Sequence, residues 1–540
     1  MIVRRVLLIG NHPISRDIEG QFAQKGAEVL RADFPTAGAP LSAVGGGSIG
    51  RVDALCLFSA PDTESDNEAD NHCLELLKRL ATEAAATTGV ELKREDGRRI
   101  ACHLLLQSQT TLWALQNFDL PEAVNRLFDV YAFTMEDQWA KAAFASVGGK
   151  VHCCPPLDRE AITEHSPKRV HLVLIGWNQA TETLAIHAAL VSHFPNYVGN
   201  HQLRTRITII DEQMDERADA FIGRYHHLFD NSYYRRLDLT TDTPRTTFHA
   251  PRYNGQRDEF VDIEWEFVTA GSYHPLLREK LALWAADRTQ VLTVVLCHAD
   301  DARNADEAFC LPDAIYDHSV TVLSYVRQRG IFSLSQHDSR FTNVYPIGME
   351  DCGYDISLPL MNLAKRLNYF YNCQFVRQAA PTSLPEDEVE EEWKAVDSYA
   401  MRFSSLYNAM TMTVKMRSLG HEEGDWGQFY AVTQAETELL SAVEHNRWSV
   451  ERLILGFRPP TDAERDEIHE NIRAILRAKK EGTPVPEDLK KAYKRRRIHY
   501  DLCSYEELDF DSSGQDVRIY DYALTACIPL IMNSFNEQPS

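Results

Sequence analysis

Short, wholly apolar runs alternate with amphipathic segments along much of the chain. The earliest is VLLI at 6–9, as expected of a strand buried on both faces, and Gly10 ends it. A helix follows over 15–24, with Ile14, Ile18 and Phe22 on one face. Strands are predicted at 28–32, ending at Asp33, and at 54–58, 100–106 and 128–133. A helix over 71–86 carries Leu74, Leu77 and Leu80. Apolar strands separated by helices imply a parallel sheet with crossover helices.

The pattern restarts at about 167. RVHLVLI at 169–175 reads as a strand closed by Gly176, and 181–194 as a helix. RITII at 206–210 is the next strand and ends at Asp211. FVDIEWEFV at 260–268 alternates apolar and acidic residues, which predicts a more exposed strand. Buried strands are expected again at 290–296 and 320–326, whereas 231–257 reads as an insertion or long loop. The chain thus reads as two units of one plan, a tandem duplication of a doubly wound α/β domain, over 1–160 and 166–378. An acidic run at 386–392 marks a solvated linker or a helix start, and a long methionine-rich helix spans 396–419. A helix-rich segment over 431–535 closes the sequence.

Doubly wound sheets bind ligands where a strand turns into a helix, at the carboxyl ends of the strands. A tight glycine turn, a helix N-terminus and an acidic residue after the second strand are the physical requirements. The first corner offers Gly10, His12, Ser15 and Asp33. The second offers Gly176, Asn178, Thr181 and Asp211. Each keeps only the first glycine of G-x-G-x-x-G, and a side chain in the second position hinders a pyrophosphate. The competing reading makes the glycines strand-end turns and the aspartates caps.

VLIGWNQ at 173–179, RITIID at 206–211 and VVLCHADDARN at 294–304 resemble the TrkA N-terminal type of Rossmann domain, a nucleotide-sensing module. The resemblance implies NAD(H) or an adenine nucleotide bound as a regulator. It implies phosphate held by Gly176, Asn178 and Thr181, ribose by Asp211, and a crevice lined by His298 and Asp300. The two missing glycines weaken the case for pyrophosphate more than that for ribose.

Further along, Glu444-His445-Asn446-Arg447-Trp448, then Glu451-Arg452 and Gly456-Phe457, place charges and a Trp on one helical stripe. His499, Leu502, Tyr505 and Leu508 form a later block. Over about 430–535 these blocks resemble the RyR domain, the helical repeat first named in ryanodine receptors, which also occurs singly in bacterial proteins. Two readings stand for Glu444, Arg447, Trp448, Arg452, His499 and Tyr505. They line a pocket for a nucleotide-like ligand, or the charges pair with one another around a buried Trp. The basic stretch KKAYKRRR at 490–497 meets an anionic partner or lies against the acidic run.

Composition narrows the function. The 540 residues suggest roughly three to four domains. A net charge of -23 argues against general nucleic-acid coating. The longest apolar runs fall short of the roughly 20 residues of a spanning helix, and no leader is read at the N-terminus. Eleven dispersed cysteines without a C-x-x-C pair fit a reduced cytoplasmic protein; Cys153-Cys154 is read as ordinary packing before a redox pair. Neither His226-His227 nor His152 beside the cysteines has zinc spacing. Asp300, Asp301, Asp306 and Glu307 cluster by the predicted crevice, where helix capping is the simplest role. No nucleophile-elbow, P-loop or zincin motif is present. The leading expectation is a sensor in which Rossmann domains bind a nucleotide and the RyR-like module binds a second ligand or relays to a protein partner. A nucleotide-processing or NAD-dependent enzyme using His298 and Asp300, and a non-binding scaffold, are the alternatives. A homodimer follows from the resemblance alone.

Overall fold

The computed structural model describes residues 3–35, 52–58, 65–86, 99–145, 154–251, 259–335, 338–350, 353–396, 399–421 and 432–536. His152 and Cys153 lie outside them.

Two parallel sheets form, as the apolar runs require. The first contains β1 (Arg5–Ile9), β2 (Glu28–Ala32), β3 (Ala54–Leu57), β4 (Ile100–Leu105) and β5 (Phe128–Phe133), in the order β2-β1-β3-β4-β5. The second contains β6 (Arg169–Ile175), β7 (Thr205–Asp211), β8 (Tyr233–Asp238), β9 (Arg245–His249), β10 (Ile263–Thr269), β11 (Gln290–Leu296), β12 (Thr321–Tyr325) and β13 (Val344–Ile347). Its order is β13-β12-β11-β6-β7-β10-β8-β9, parallel except between β8 and β9. Without that hairpin, its six strands follow the dinucleotide-fold order 3-2-1-4-5-6. The first sheet has the flavodoxin-like order 2-1-3-4-5. Among the described residues the units thus share an opening strand, glycine turn and helix, and both are doubly wound, while their strand orders differ.

The polar stretch expected as an insertion supplies that hairpin, and it reverses the expectation for β10. That strand lies between β7 and β8, and Glu266 is 1 % exposed. Its acidic residues are matched by cations on neighbouring strands instead of by water. Glu264 pairs with Arg169 at 3.0 Å and Arg206 at 2.6 Å, and Glu266 pairs with Arg235 of β8 at 2.8 Å.

After β13 the chain returns to the first sheet. Residues 353–358 form a strap across one of its faces. Tyr354 stacks on Phe133 with ring centroids 3.9 Å apart and contacts His103 Nδ1 at 2.5 Å. Gln21 donates to the Tyr354 carbonyl at 2.7 Å and accepts from the Ile356 amide at 3.1 Å. On the opposite face, Leu7, Leu55 and Leu104 join one core with Leu172 and Ile207 of the second sheet. The helix Gln179–Val191 lies inside that core and is buried nearly all round.

The remainder is helical. The helix Pro359–Phe375 packs on Glu386–Lys394 and Tyr399–Ser418, so it belongs to this layer rather than to the second sheet unit. The acidic run is a packed helix with Val389 and Trp393 buried, and Lys365 holds Glu390 at 2.9 Å. Gln434–Ile454, Asp462–Glu481 and Arg518–Ala526 follow. No helix among the described residues is long and apolar enough to cross a membrane.

Buried ion pairs tie this layer to the sheets. Arg402 reaches Asp129 of β5 at 2.7 Å, and Arg417 grips Asp158 through two bonds of 2.7 and 2.8 Å. Arg417→Met strands a buried carboxylate. The expected loss is about 3–5 kcal/mol of unfolding free energy, read by urea titration followed by circular dichroism.

Candidate functional site

Strand-end turns build both corners. Gly10 holds φ at +87° and donates its amide to Ala32 O at 3.0 Å. A Cβ there would lie 2.2 Å from Phe58 O and 3.3 Å from the Phe34 ring. Glycine is thus required by the packing of β3 against the turn, with no ligand invoked. His12 Nδ1 accepts from the Ile14 amide at 3.3 Å, and burial pushes its pKa down to about 4, so the ring stays neutral. Ser15 is buried at the helix start, with its hydroxyl on Asn11 Oδ1 at 3.4 Å, while Asp33 is exposed. The four residues share a corner, and His12 and Ser15 bond within their own turn.

The second corner differs. Gly176 holds φ at +95°, and a Cβ there would meet His298 N at 2.6 Å and Nδ1 at 2.7 Å. Asn178 and Thr181 form a reciprocal capping box on Gln179–Val191, which uses both side chains for the helix itself. Asn178 also donates to His298 O at 3.3 Å. His298 is thereby clamped at the turn, and its Nε2 meets Glu307 at 2.8 Å.

A cavity of about 170 Å³ opens beside this turn, over the carboxyl ends of β6, β7 and β10. Asp211, Arg217, Ser272, His298 and Arg303 line it. Asp211 takes the Gln213 amide at 2.8 Å and Arg217 at 2.8 Å. Arg303 bridges Glu307 at 2.9 Å and Glu212 at 3.1 Å. Burial would raise the Glu307 carboxyl, but hydrogen bonds from His298, Ser272 and Arg303 outweigh it and hold the group below its usual range. A second cavity of about 360 Å³ lies beyond β12, with Arg327, Arg329 and Glu350 on its wall beside Ile331 and Phe332.

Asp300 is exposed and caps Asp301–Ala308 by accepting the Ala302 amide at 2.9 Å, so it does not line the cavity beside His298. The rest of the acidic cluster is dispersed: Asp301 pairs with Arg327 and Asp306 with Tyr273. No group of three metal-ligating side chains occurs among the described residues. The sequence reading missed Arg217, Ser272 and Arg303, and gave Glu307 a helix-capping role where it instead holds His298 and Arg303. Only the four-residue spacing of Arg303 and Glu307 announced a pair.

In the C-terminal region Glu444 and Arg447 are not presented to a ligand. Both are 1 % exposed. Arg447 bonds Glu444 at 2.9 Å and Glu451 at 2.7 Å, while Lys415 and Asn408 of Tyr399–Ser418 reach Glu444 at 2.6 and 2.7 Å. Trp448, Arg452, His499 and Tyr505 lie around the edge of this framework. The Trp448 and His499 rings meet edge-on at 4.8 Å, Arg452 lies over Trp448 at 5.7 Å, and Tyr505 is 6.0 Å from His445. Burial and the charges of Lys494, Arg452 and Lys490 push His499 well below its usual value, so it too stays neutral. The basic stretch pairs Lys490 with Asp501 at 2.8 Å and sends Arg497 to Asn117 of the first unit at 2.9 Å; the acidic helix is held by Lys365, Arg377 and Lys394 instead.

Burial opposes ionisation of Glu444, yet Arg447 and Lys415 override it and hold its pKa at about 2. A depressed carboxyl stabilises fully above its ordinary value of 4.5 and loses that contribution as pH falls toward 2. Glu444→Gln is expected to destabilise the protein at pH 7 by about 3–5 kcal/mol, because two cations lose their buried partner. It also flattens the acid limb between pH 4.5 and 2, measured by urea unfolding across that range. No protein-family model matches the chain, and no curated protein matches it.

Proposed function

We propose that this chain is a cytoplasmic nucleotide sensor whose second sheet binds NAD(H) or an adenine nucleotide. The observation that carries the reading is the cavity over β6, β7 and β10, where Asp211 and two arginines converge beside the Gly176 turn. An acidic residue there suits ribose hydroxyls, and Arg217 and Arg303 suit phosphate. The second cavity lies on the other side of the reversal in strand order between β6 and β11, where dinucleotides extend in folds of this order. The capping box and the crowded Gly176 turn favour contact through ribose and side-chain cations over a pyrophosphate cradled on the helix. Resemblance to TrkA-type domains supports the same ligand class.

The helical region is the relay in this reading, as its resemblance to the RyR domain suggests. Half-buried Trp448 and Tyr505, at the edge of its ring cluster, are the surface for a second ligand or a protein partner, and the chain pairs as a homodimer. An enzymatic role for His298 fits less well. Glu307 engages Nε2 and Nδ1 faces the Gly176 turn, which leaves no ring nitrogen directed at a substrate.

The test is to denature freshly purified protein and identify released small molecules by mass spectrometry, then titrate NAD, NADH, AMP and ATP by calorimetry. Recovery of unchanged nucleotide near one per chain supports the sensor. Asp211→Ala is then expected to weaken binding about tenfold or more. No released nucleotide and no heat with any of the four sinks the reading. Turnover of the added nucleotide replaces it with an enzyme.

A further inference from the structure

We propose that Arg303 is the phosphate-binding point of the cavity beside Gly176, and that the Glu212 carboxylate holds that point until a ligand's phosphate displaces it. The proposal rests on the nucleotide reading of the same cavity and names the side chain that must move for a phosphate to enter. Among the described residues, the wall carries two arginines, Arg217 and Arg303. Asp211 faces the first, and Glu212 and Glu307 face the second. Both arginines are therefore paired, and an arriving phosphate meets three carboxylates. A phosphate monoester carries about 1.5 to 2 negative charges at pH 7, so one of the three has to yield.

Burial and bonding decide which. The Asp211 side chain is 11 % exposed; its Oδ1 accepts the Gln213 amide and its Oδ2 pairs with Arg217, both at 2.8 Å. The Glu307 side chain is 3 % exposed, and its oxygens meet His298 Nε2 at 2.8 Å, Arg303 Nε at 2.9 Å and the Ser272 hydroxyl. Releasing either strands a buried charge. Glu212 is different. Its side chain is 62 % exposed, and among the described residues it meets Arg303 alone, at 3.1 Å. An exposed pair of this kind is weak and is screened by salt, so Glu212 swings into water at little cost. Arg303 does not follow it, because Glu307 keeps hold of Nε. The guanidinium stays in place with Nη2, now shared between Glu212 and Ser272 Oγ at 3.1 Å each, free to turn to the new anion. Ser272 gives its own proton to Glu307 and offers the anion no donor. A phosphate brings more charge to Arg303 than the carboxylate it replaces, and its oxygens suit the planar fork of a guanidinium. Arg217 stays on Asp211, whose remaining lone pairs meet ribose hydroxyls.

Calorimetry on the full chain tests this with AMP and with adenosine, which lacks the phosphate. Glu212→Gln removes the competing charge from an exposed position and is expected to strengthen AMP binding about fivefold. Adenosine is expected to stay within about twofold of its wild-type affinity, or to remain undetectable in both proteins. In an Arg303→Gln background the same Glu212→Gln change is expected to bring no gain for AMP. Unchanged or weaker AMP binding in the Glu212→Gln protein overturns the proposal and leaves the nucleotide reading standing. An equal gain for adenosine also overturns it, since Glu212 then only crowds the ribose. Absence of AMP binding to either protein overturns it as well, and whether the nucleotide reading falls too is decided by NAD, NADH and ATP. Should Arg303→Gln not fold, the contrast between AMP and adenosine decides.

Discussion

A carboxylate buried beside an apolar seam must find a cation or pull the seam apart. This chain places such carboxylates at each junction between its parts. Asp129 faces Arg402, Asp158 faces Arg417, and Glu444 faces both Arg447 and Lys415. Asp137 meets His187 where the first unit packs on the buried helix Gln179–Val191. Apolar surfaces alone allow sliding with little penalty. A buried pair adds modest net stability and heavily penalises every register in which one partner is stranded. The seams are therefore fixed in position by charge and held together by hydrophobic burial.

That frame explains why the two corners differ. At the first, glycine serves the contact with Phe58, and His12 and Ser15 bond within their own turn. At the second, the same kind of turn locks His298, and the neighbouring space stays open between Asp211 and Arg303. The walls of that space are carried on strand ends and on the Asp301–Ala308 helix, so their geometry is set by the sheet.

The strands were legible because residues buried on both faces leave unbroken apolar runs. β10 was misread for a definable reason: its glutamates alternate as if facing water, but Arg235 comes from a hairpin inserted between the second and third crossover strands. The strap could not be read, since 353–358 has no periodicity and its meaning depends on Phe133 and His103, far back in the chain. Strand order was hidden for the same reason. At the site, Gly176 and Asp211 were found from their places at strand ends, and His298 only through the resemblance to TrkA-type domains. Arg217, on the helix Met214–Arg224, and Ser272, in the loop after β10, were not, because only the folded chain brings them there. The Glu444 stripe was correctly seen as unusual, but sequence spacing cannot show that Lys415, on another helix, closes over it.

The strap sets an order of events during synthesis. One face of the first sheet is completed by Tyr354 and Ile356, which follow the whole of the second sheet in the chain. A ribosome that has released the first five strands has not yet made the residues that cover them. Until residue 356 emerges, Phe133 and its neighbours stay open to solvent or to chaperones. The first unit, although first in sequence, is thus completed only after the second sheet has been made. A boundary drawn between the sheets cuts the chain without separating two independent bodies.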